Sequence, residues 1–175
     1  MQTLIIIDVQ NDFITGSLGT KEAQQMLPRL IQKAKDYDGE IIMTQDTHCD
    51  DYMNTQEGRM LPIPHCIAET DGWNFPDQLN AIREEKQAAV YRKNCFGSTQ
   101  MVEDLKRKYE AGNLESVELA GICTDVCVIS NALMIKAALP ELPVVVDASC
   151  CTGVTVKKHE AALEVMESCQ IKVRR

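Results

Sequence analysis

Four places in this 175-residue chain collect side chains that can do chemistry, and each follows a short apolar or β-branched run. Residues 4–7 end in Asp8, residues 41–44 lead to Asp46 and His48, residues 88–91 to Arg92 and Lys93, and residues 116–120 to Gly121, Cys123, Thr124, Asp125 and Cys127. Together they offer a carboxylate, an ammonium group, thiols at the start of an apolar helix, and an acid–imidazole pair of metal-ligand type. Cys127 is the sharpest of these. It follows a Gly-x-x-Thr-Asp turn and opens a helix whose Val128, Ile129, Ala132, Leu133 and Ala137 form a broad apolar stripe. A helix N-terminus and a nearby ammonium such as Lys93 both favour an anion, so the thiol is expected to ionise below the roughly 8.5 of a free cysteine. Cys123, four residues earlier, is its nearest competitor.

The elements that must position these residues alternate along the chain. Strands are expected at 4–7, 41–44, 88–91, 116–120, 144–146 and 171–173, and helices at 21–36, 76–86, 99–111, 126–138 and 156–168. That order predicts a parallel sheet with helices on both faces. The runs LIII at 4–7 and PVVV at 143–146 lack polar alternation, which places them centrally, buried on both faces. Open α/β sheets bind ligands beyond the carboxyl ends of their strands, where all four clusters fall. One irregular stretch, residues 46–75, carries two of the three histidines and the only tryptophan, and a loop that long in a compact domain is usually functional.

Composition narrows the classes. With 18 Lys and Arg against 26 Asp and Glu, a net charge of −8 and no basic cluster, nucleic acid and anionic membranes are poor partners. No apolar run approaches the roughly 18 residues of a membrane helix, and the N-terminus has no basic flank or cleavage site, so a cytoplasmic protein is expected. Its eight cysteines then read as reduced thiols, most of them small buried hydrophobes.

Four ordered segments, IIIDVQNDFITGSLG at 5–19, TQDTHCDDYMNTQEGRMLPIPHC at 44–66, RKNCFGS at 92–98 and LAGICTDVCV at 119–128, resemble the isochorismatase-like cysteine hydrolases, and within them nicotinamidases and related amidases. The resemblance covers almost the whole chain. It implies one domain over residues 1–175 with a three-layer α/β/α fold and a six-stranded, mostly parallel sheet. It also implies a catalytic set of Asp8, Lys93 and Cys127, an oxyanion hole at the backbone N–H groups of Cys123 and Cys127, and a cis peptide between Ile122 and Cys123. Asp8 would carry protons between thiol, leaving ammonia and water.

Asp46, His48, Glu57 and His65 form the candidate metal set. The one-residue spacing of Asp46 and His48 puts both side chains on one side of an extended strand end. Two imidazoles with one or two carboxylates suit zinc best, with iron or manganese as alternatives. Many members of the family place a histidine six residues after the first ligand histidine; this chain has Asn54 there, and Glu57 resembles the glutamate of another branch. A rival site, His48–Cys49 with His65–Cys66 as a closed zinc centre, is disfavoured because adjacent residues in extended chain point opposite ways. Phe13 and Trp73 are candidates to wall an aromatic substrate, with Tyr52 of similar standing. His159 is expected at a helix surface or cap, and Cys150 and Cys151 in strand-end packing.

The expected function is hydrolysis of a small carboxamide through a cysteine thioester, nicotinamide to nicotinate and ammonia in NAD salvage, by a chain that could form a homo-oligomer. The alternatives are another small-amide or N-carbamoyl hydrolase of the family, or a non-catalytic thiol redox or binding protein on this fold.

Overall fold

A computed structural model describes all residues 1–175. In chain order the elements are β1 (Gln2–Ile7), α1 (Asn11–Ile14), α2 (Lys21–Asp36), β2 (Glu40–Asp46), a 3-10 turn (Tyr52–Asn54), α3 (Gln56–Met60), α4 (Asp77–Glu85) and β3 (Ala89–Lys93). They continue with α5 (Thr99–Glu110), β4 (Ser116–Ile122), a π-helical turn (Thr124–Val128), α6 (Ile129–Ala138), β5 (Val144–Thr152), α7 (Val156–Ser168) and β6 (Lys172–Arg174). The six strands pair in the order β3-β2-β1-β4-β5-β6, and every pair is parallel.

Strand periodicity divides the core. On β1, Ile5 and Ile7 pack with Met101 and Leu105 of α5, Ala132 and Ile135 of α6, and Leu163 and Met166 of α7. Leu4 and Ile6 point the other way, onto Met26 and Leu30 of α2 and Leu79 and Ile82 of α4. All four residues of the run are fully buried because β1 lies between β2 and β4 under helices on both faces. The second apolar run, on β5, is interior but one place from the edge rather than central. No helix is long and apolar enough to cross a membrane.

β5 runs six residues beyond the expected strand end at Val146, through Asp147 and Ser149 to Thr152. The polarity that suggested a stop is absorbed locally: Lys33 of α2 lies 2.7 Å from Asp147 and 2.6 Å from Glu118 of β4, and the Ser149 hydroxyl donates to Asp147 at 2.7 Å. Burial alone would raise the Asp147 carboxyl, but Lys33 and Ser149 hold it below the usual 3.8. A depressed carboxyl contributes stability that is present above its unfolded pKa and lost as pH falls through the folded one. Lys33→Met, which leaves Asp147 with only Ser149 and Glu118 with only Arg174, is expected to cost about 2 kcal/mol in urea unfolding at neutral pH, with the penalty shrinking below about pH 4.

Candidate active site

The strand order reverses between β1 and β4, and their carboxyl ends flank the crevice where open α/β sheets bind ligands. Asp8 follows β1 with φ of +48°, a left-handed conformation that Asp tolerates better than most residues and that turns the chain sharply off the strand. It is fully buried. The Thr44 hydroxyl on β2 donates to its Oδ1 at 2.7 Å, and Lys93 Nζ, at the end of β3, lies 2.6 Å from its Oδ2, which has no other partner. The same ammonium donates to Cys95 O at 2.9 Å, sits 3.7 Å from Cys127 Sγ and is 3.5 Å from Asp46 Oδ1. The structure therefore brings Asp8, Lys93 and Cys127 together around one nitrogen.

Burial sets the protonation of this trio. It raises the Asp8 carboxyl above its usual value, against the pull of Lys93. Burial alone would lower Lys93, but the adjacent Asp8 charge outweighs it and keeps the ammonium protonated. The thiol differs from the expectation: burial first, and the Asp8 charge second, push Cys127 well above the ordinary cysteine range despite Lys93. A neutral thiol thus stands beside the buried Asp8–Lys93 pair. Burial likewise pushes the Cys123 thiol up, to about 12.

The turn that carries Cys127 is not the plain α-helix expected from residue 126. β4 approaches β1 so closely at Gly121, whose φ is +132°, that a Cβ there would lie 2.2 Å from Ile7 O. A cis peptide joins Ile122 to Cys123. The Cys123 carbonyl then accepts from Val126 N at 3.1 Å and, five residues on, from Val128 N at 3.0 Å, which makes the wide turn. Such π-type turns recur at functional sites. The apolar stripe from Val128 onward hid this, since a π turn and an α turn bury nearly the same residues. Thr124 anchors the turn to α7, its hydroxyl 2.8 Å from His159 Nδ1, so His159 is a half-buried clamp rather than a surface residue.

Asp46, His48 and His65 bring their ligand-type atoms within 4.8 Å of one another, all three buried. Asp46 Oδ2 is 3.0 Å from His48 Nε2 and 3.6 Å from His65 Nε2, and Glu57 Oε1 completes the ring at 3.9 and 3.7 Å from the same nitrogens. Burial would raise the Asp46 carboxyl, yet the two imidazoles and Lys93 hold it well below the usual range, so it stays an anionic donor. His65 Nδ1 lies 2.9 Å from Ile63 O, leaving Nε2 to face the cluster, the orienting contact typical of ligand histidines. The long loop delivers His65 by pairing with the chain just past the end of β2: His48 N donates to Cys66 O, Ala68 N to His48 O, and Cys66 N to Asp12 Oδ2. Tyr52 is buried edge-on against both imidazoles, its hydroxyl donating to Leu61 O at 2.9 Å. The rival Cys–His centre fails, because Cys49 is exposed while Cys66 is buried in the α2-side core.

A cavity of about 190 Å³ connects the two groups, walled by Phe13, Leu61, Phe96 and Val126 and floored by Cys127, Asp46 and His65. Phe13 stands tilted over His65 with ring centroids 5.6 Å apart. Trp73, expected beside it, lies elsewhere: its Nε1 donates to Thr47 Oγ1 and Arg92 stacks over its ring, and it lines a separate cavity between α4 and the β2–β3 edge. Position in a 30-residue loop offered no register from which its direction could be read. Cys150 and Cys151 pack into opposite core clusters. Supporting residues that the sequence reading did not single out include Thr44 and Gln10. Gln10 accepts from Asp46 N at 2.7 Å and donates to Asp46 O at 2.8 Å, pinning the carboxylate's backbone to the β1 end. Gln10 sits in the IIIDVQNDF segment, two residues past Asp8, which was the one available signal.

Comparison with known proteins gives the family and the fold. The isochorismatase domain family matches residues 2–175. A nicotinamidase/pyrazinamidase of Mycobacterium tuberculosis is 28% identical over 192 residues, covering 99% of this chain and 98% of the relative. Among solved structures, a nicotinamidase from Bacillus subtilis superposes with a TM-score of 0.83 at 24% identity, over 99% of both chains. A pyrazinamidase of Pyrococcus horikoshii in complex with zinc gives 0.78 at 24% identity, over 99% of this chain and 98% of that one.

Proposed function

Because the chain belongs to the isochorismatase family, we propose that it hydrolyses nicotinamide to nicotinate and ammonia through a thioester on Cys127, as a cytoplasmic enzyme of NAD salvage. The observation that carries this reading is one cavity lined both by Cys127, the sulfur of the buried Asp–Lys–Cys trio, and by Asp46, His65 and Glu57 of the Asp–His–His–Glu ring. Its small volume and aromatic wall suit one planar ring with a short carboxamide.

In this mechanism Asp8 takes the Cys127 proton as sulfur attacks the amide carbon. The N–H groups of Cys123 and Cys127 stabilise the oxyanion. Collapse of the tetrahedral adduct breaks the C–N bond, and the proton held by Asp8 passes to the departing nitrogen, releasing ammonia and leaving an acyl thioester. Asp8 then accepts a proton from water as that water attacks the thioester, and returns it to the sulfur as nicotinate leaves. Lys93 remains an ammonium throughout, holding Asp8 in place and stabilising the transient thiolate. Asp46, His48 and His65, with Glu57 beside them, fit a divalent ion, and the donor set favours zinc. When bound, that ion supplies a Lewis-acid contact for the ring nitrogen, which orients the ring.

Benzamide, which has the same shape without the ring nitrogen, discriminates this reading from a general amidase. The metal-loaded enzyme is expected to prefer nicotinamide by about 2 kcal/mol, roughly thirtyfold in kcat/KM. His48→Ala and Glu57→Gln are expected to raise KM for nicotinamide and lower bound metal together, with little effect on benzamide. Equal hydrolysis of the two amides would remove nicotinamide as substrate and leave a broader amidase.

A further inference from the structure

One buried amide, outside both groups described above, ties the Cys127 turn to the segment that follows the strand carrying the ammonium. Asn131 lies one turn after Cys127 on α6 and is completely buried. A primary amide has one acceptor oxygen and two N–H donors of use in a tight site. All are engaged: Oδ1 accepts from Ser98 N at 2.9 Å, and Nδ2 donates to Phe96 O at 3.1 Å and to Cys127 O at 2.8 Å. Asn is a poor residue for a helix interior, and its neighbours Val128, Ala132 and Ile135 are apolar core. Local propensity and hydrophobic packing both oppose it, so its three hydrogen bonds are what accounts for it there.

Those bonds join residues 96–98 to the turn that carries Cys127. Lys93 ends β3, and its ammonium donates to Cys95 O. Immediately beyond Cys95 the chain is fastened at Phe96 O and Ser98 N by Asn131, and Ser98 Oγ caps α5 by accepting from Met101 N at 3.2 Å. Gly97 rests on the same helix, close enough that a Cβ would lie 2.3 Å from Met134 Sδ. The position of the Cys95 carbonyl, and through it the ammonium 3.7 Å from Cys127 Sγ, is thus set from two sides: by β3 and by Asn131.

We infer that Asn131 is a positioning residue, a clasp holding segment 94–98 against the nucleophile turn so that Lys93 stays aligned with the Cys127 sulfur. The inference rests on Cys127 being the nucleophile, but not on the identity of the amide. Its test therefore includes an arm that needs no substrate. The rate of iodoacetamide alkylation at Cys127, followed by peptide mass mapping at fixed neutral pH, is compared with kcat for Asn131→Ala and for the isosteric Asn131→Asp, which loses both donors. The second variant serves if the first fails to fold. Both rates are expected to fall about tenfold or more at a temperature where circular dichroism shows a folded protein, while bound metal is unchanged because no metal-set residue touches the clasp. A residue that only stabilised the fold would lower Tm and leave the alkylation rate of folded molecules alone. Where the wild type turns nicotinamide over, a fall in one rate without the other, or in neither, overturns the proposal. Loss of activity with nicotinamide in the wild type, with alkylation still sensitive to Asn131, would instead count against the choice of amide and leave the clasp standing.

Discussion

Cys127→Ala is expected to reduce amide hydrolysis by about 10⁴-fold or more, because it removes the thiol held beside the Asp8–Lys93 pair, on which the acyl intermediate forms. The structural cost is small by comparison. Cys127 is a buried member of the core cluster, so the change removes one sulfur and costs about 1 kcal/mol in unfolding experiments. Cys123→Ala should retain most activity: the wall loses a side chain, while the N–H assigned to the oxyanion remains. Burial raises both thiols, and what marks Cys127 out is the Lys93 ammonium 3.7 Å from its sulfur. Exchange of the two results would reassign the nucleophile. Activity in a refolded Cys127→Ala protein indistinguishable from wild type would remove covalent catalysis altogether.

Asp8→Asn carries the second large effect, and here stability and rate must be separated. The amide cannot take the thiol proton, so kcat should fall by about 10²–10⁴. The substitution also leaves the buried Lys93 ammonium with only Asp46, 3.5 Å away, as a counter-charge. Stranding a buried charge costs about 3–5 kcal/mol, enough to shift the denaturation midpoint markedly. Lys93→Met strands Asp8 in the same way. The two variants differ in one readout: with Lys93 gone, burial and the Asp8 charge act on the thiol unopposed, so Cys127 alkylation should need a still higher pH. An unchanged alkylation profile in Lys93→Met would take Lys93 out of the thiol's chemistry.

What could be read from the residues alone follows from which interactions are local. Apolar runs that end abruptly in polar residues located the end of β1 and fell two residues short of the ends of β2, β3 and β4, because a buried parallel strand needs continuous hydrophobicity while its last residues, at the carboxyl end, already turn polar toward the site. The same logic stopped β5 at Val146, since nothing near Asp147 in sequence announces that Lys33, 114 positions away, will neutralise it. Spacing placed Asp46 and His48 on one side of a strand, while the arrival of His65 depends on the Asp12 and His48 backbone contacts of the returning loop. The direction of the Cys127 shift was misjudged for a related reason. A helix start and a nearby lysine are visible in sequence; complete burial against an acid from another strand is not. Asn131 was invisible in the same sense, since a polar residue next to Ser130 in the first turn of a helix ordinarily would face water.

The most direct measurement is rapid acid quench of the metal-loaded enzyme mixed with nicotinamide, with the bound species identified by peptide mass mapping and ammonia and nicotinate quantified over time. A nicotinoyl thioester on Cys127, with ammonia released ahead of nicotinate and the two reaching equal amounts, is the predicted result. Nicotinate formed with no acyl group on Cys127, or an adduct on another of the eight cysteines, would contradict the account.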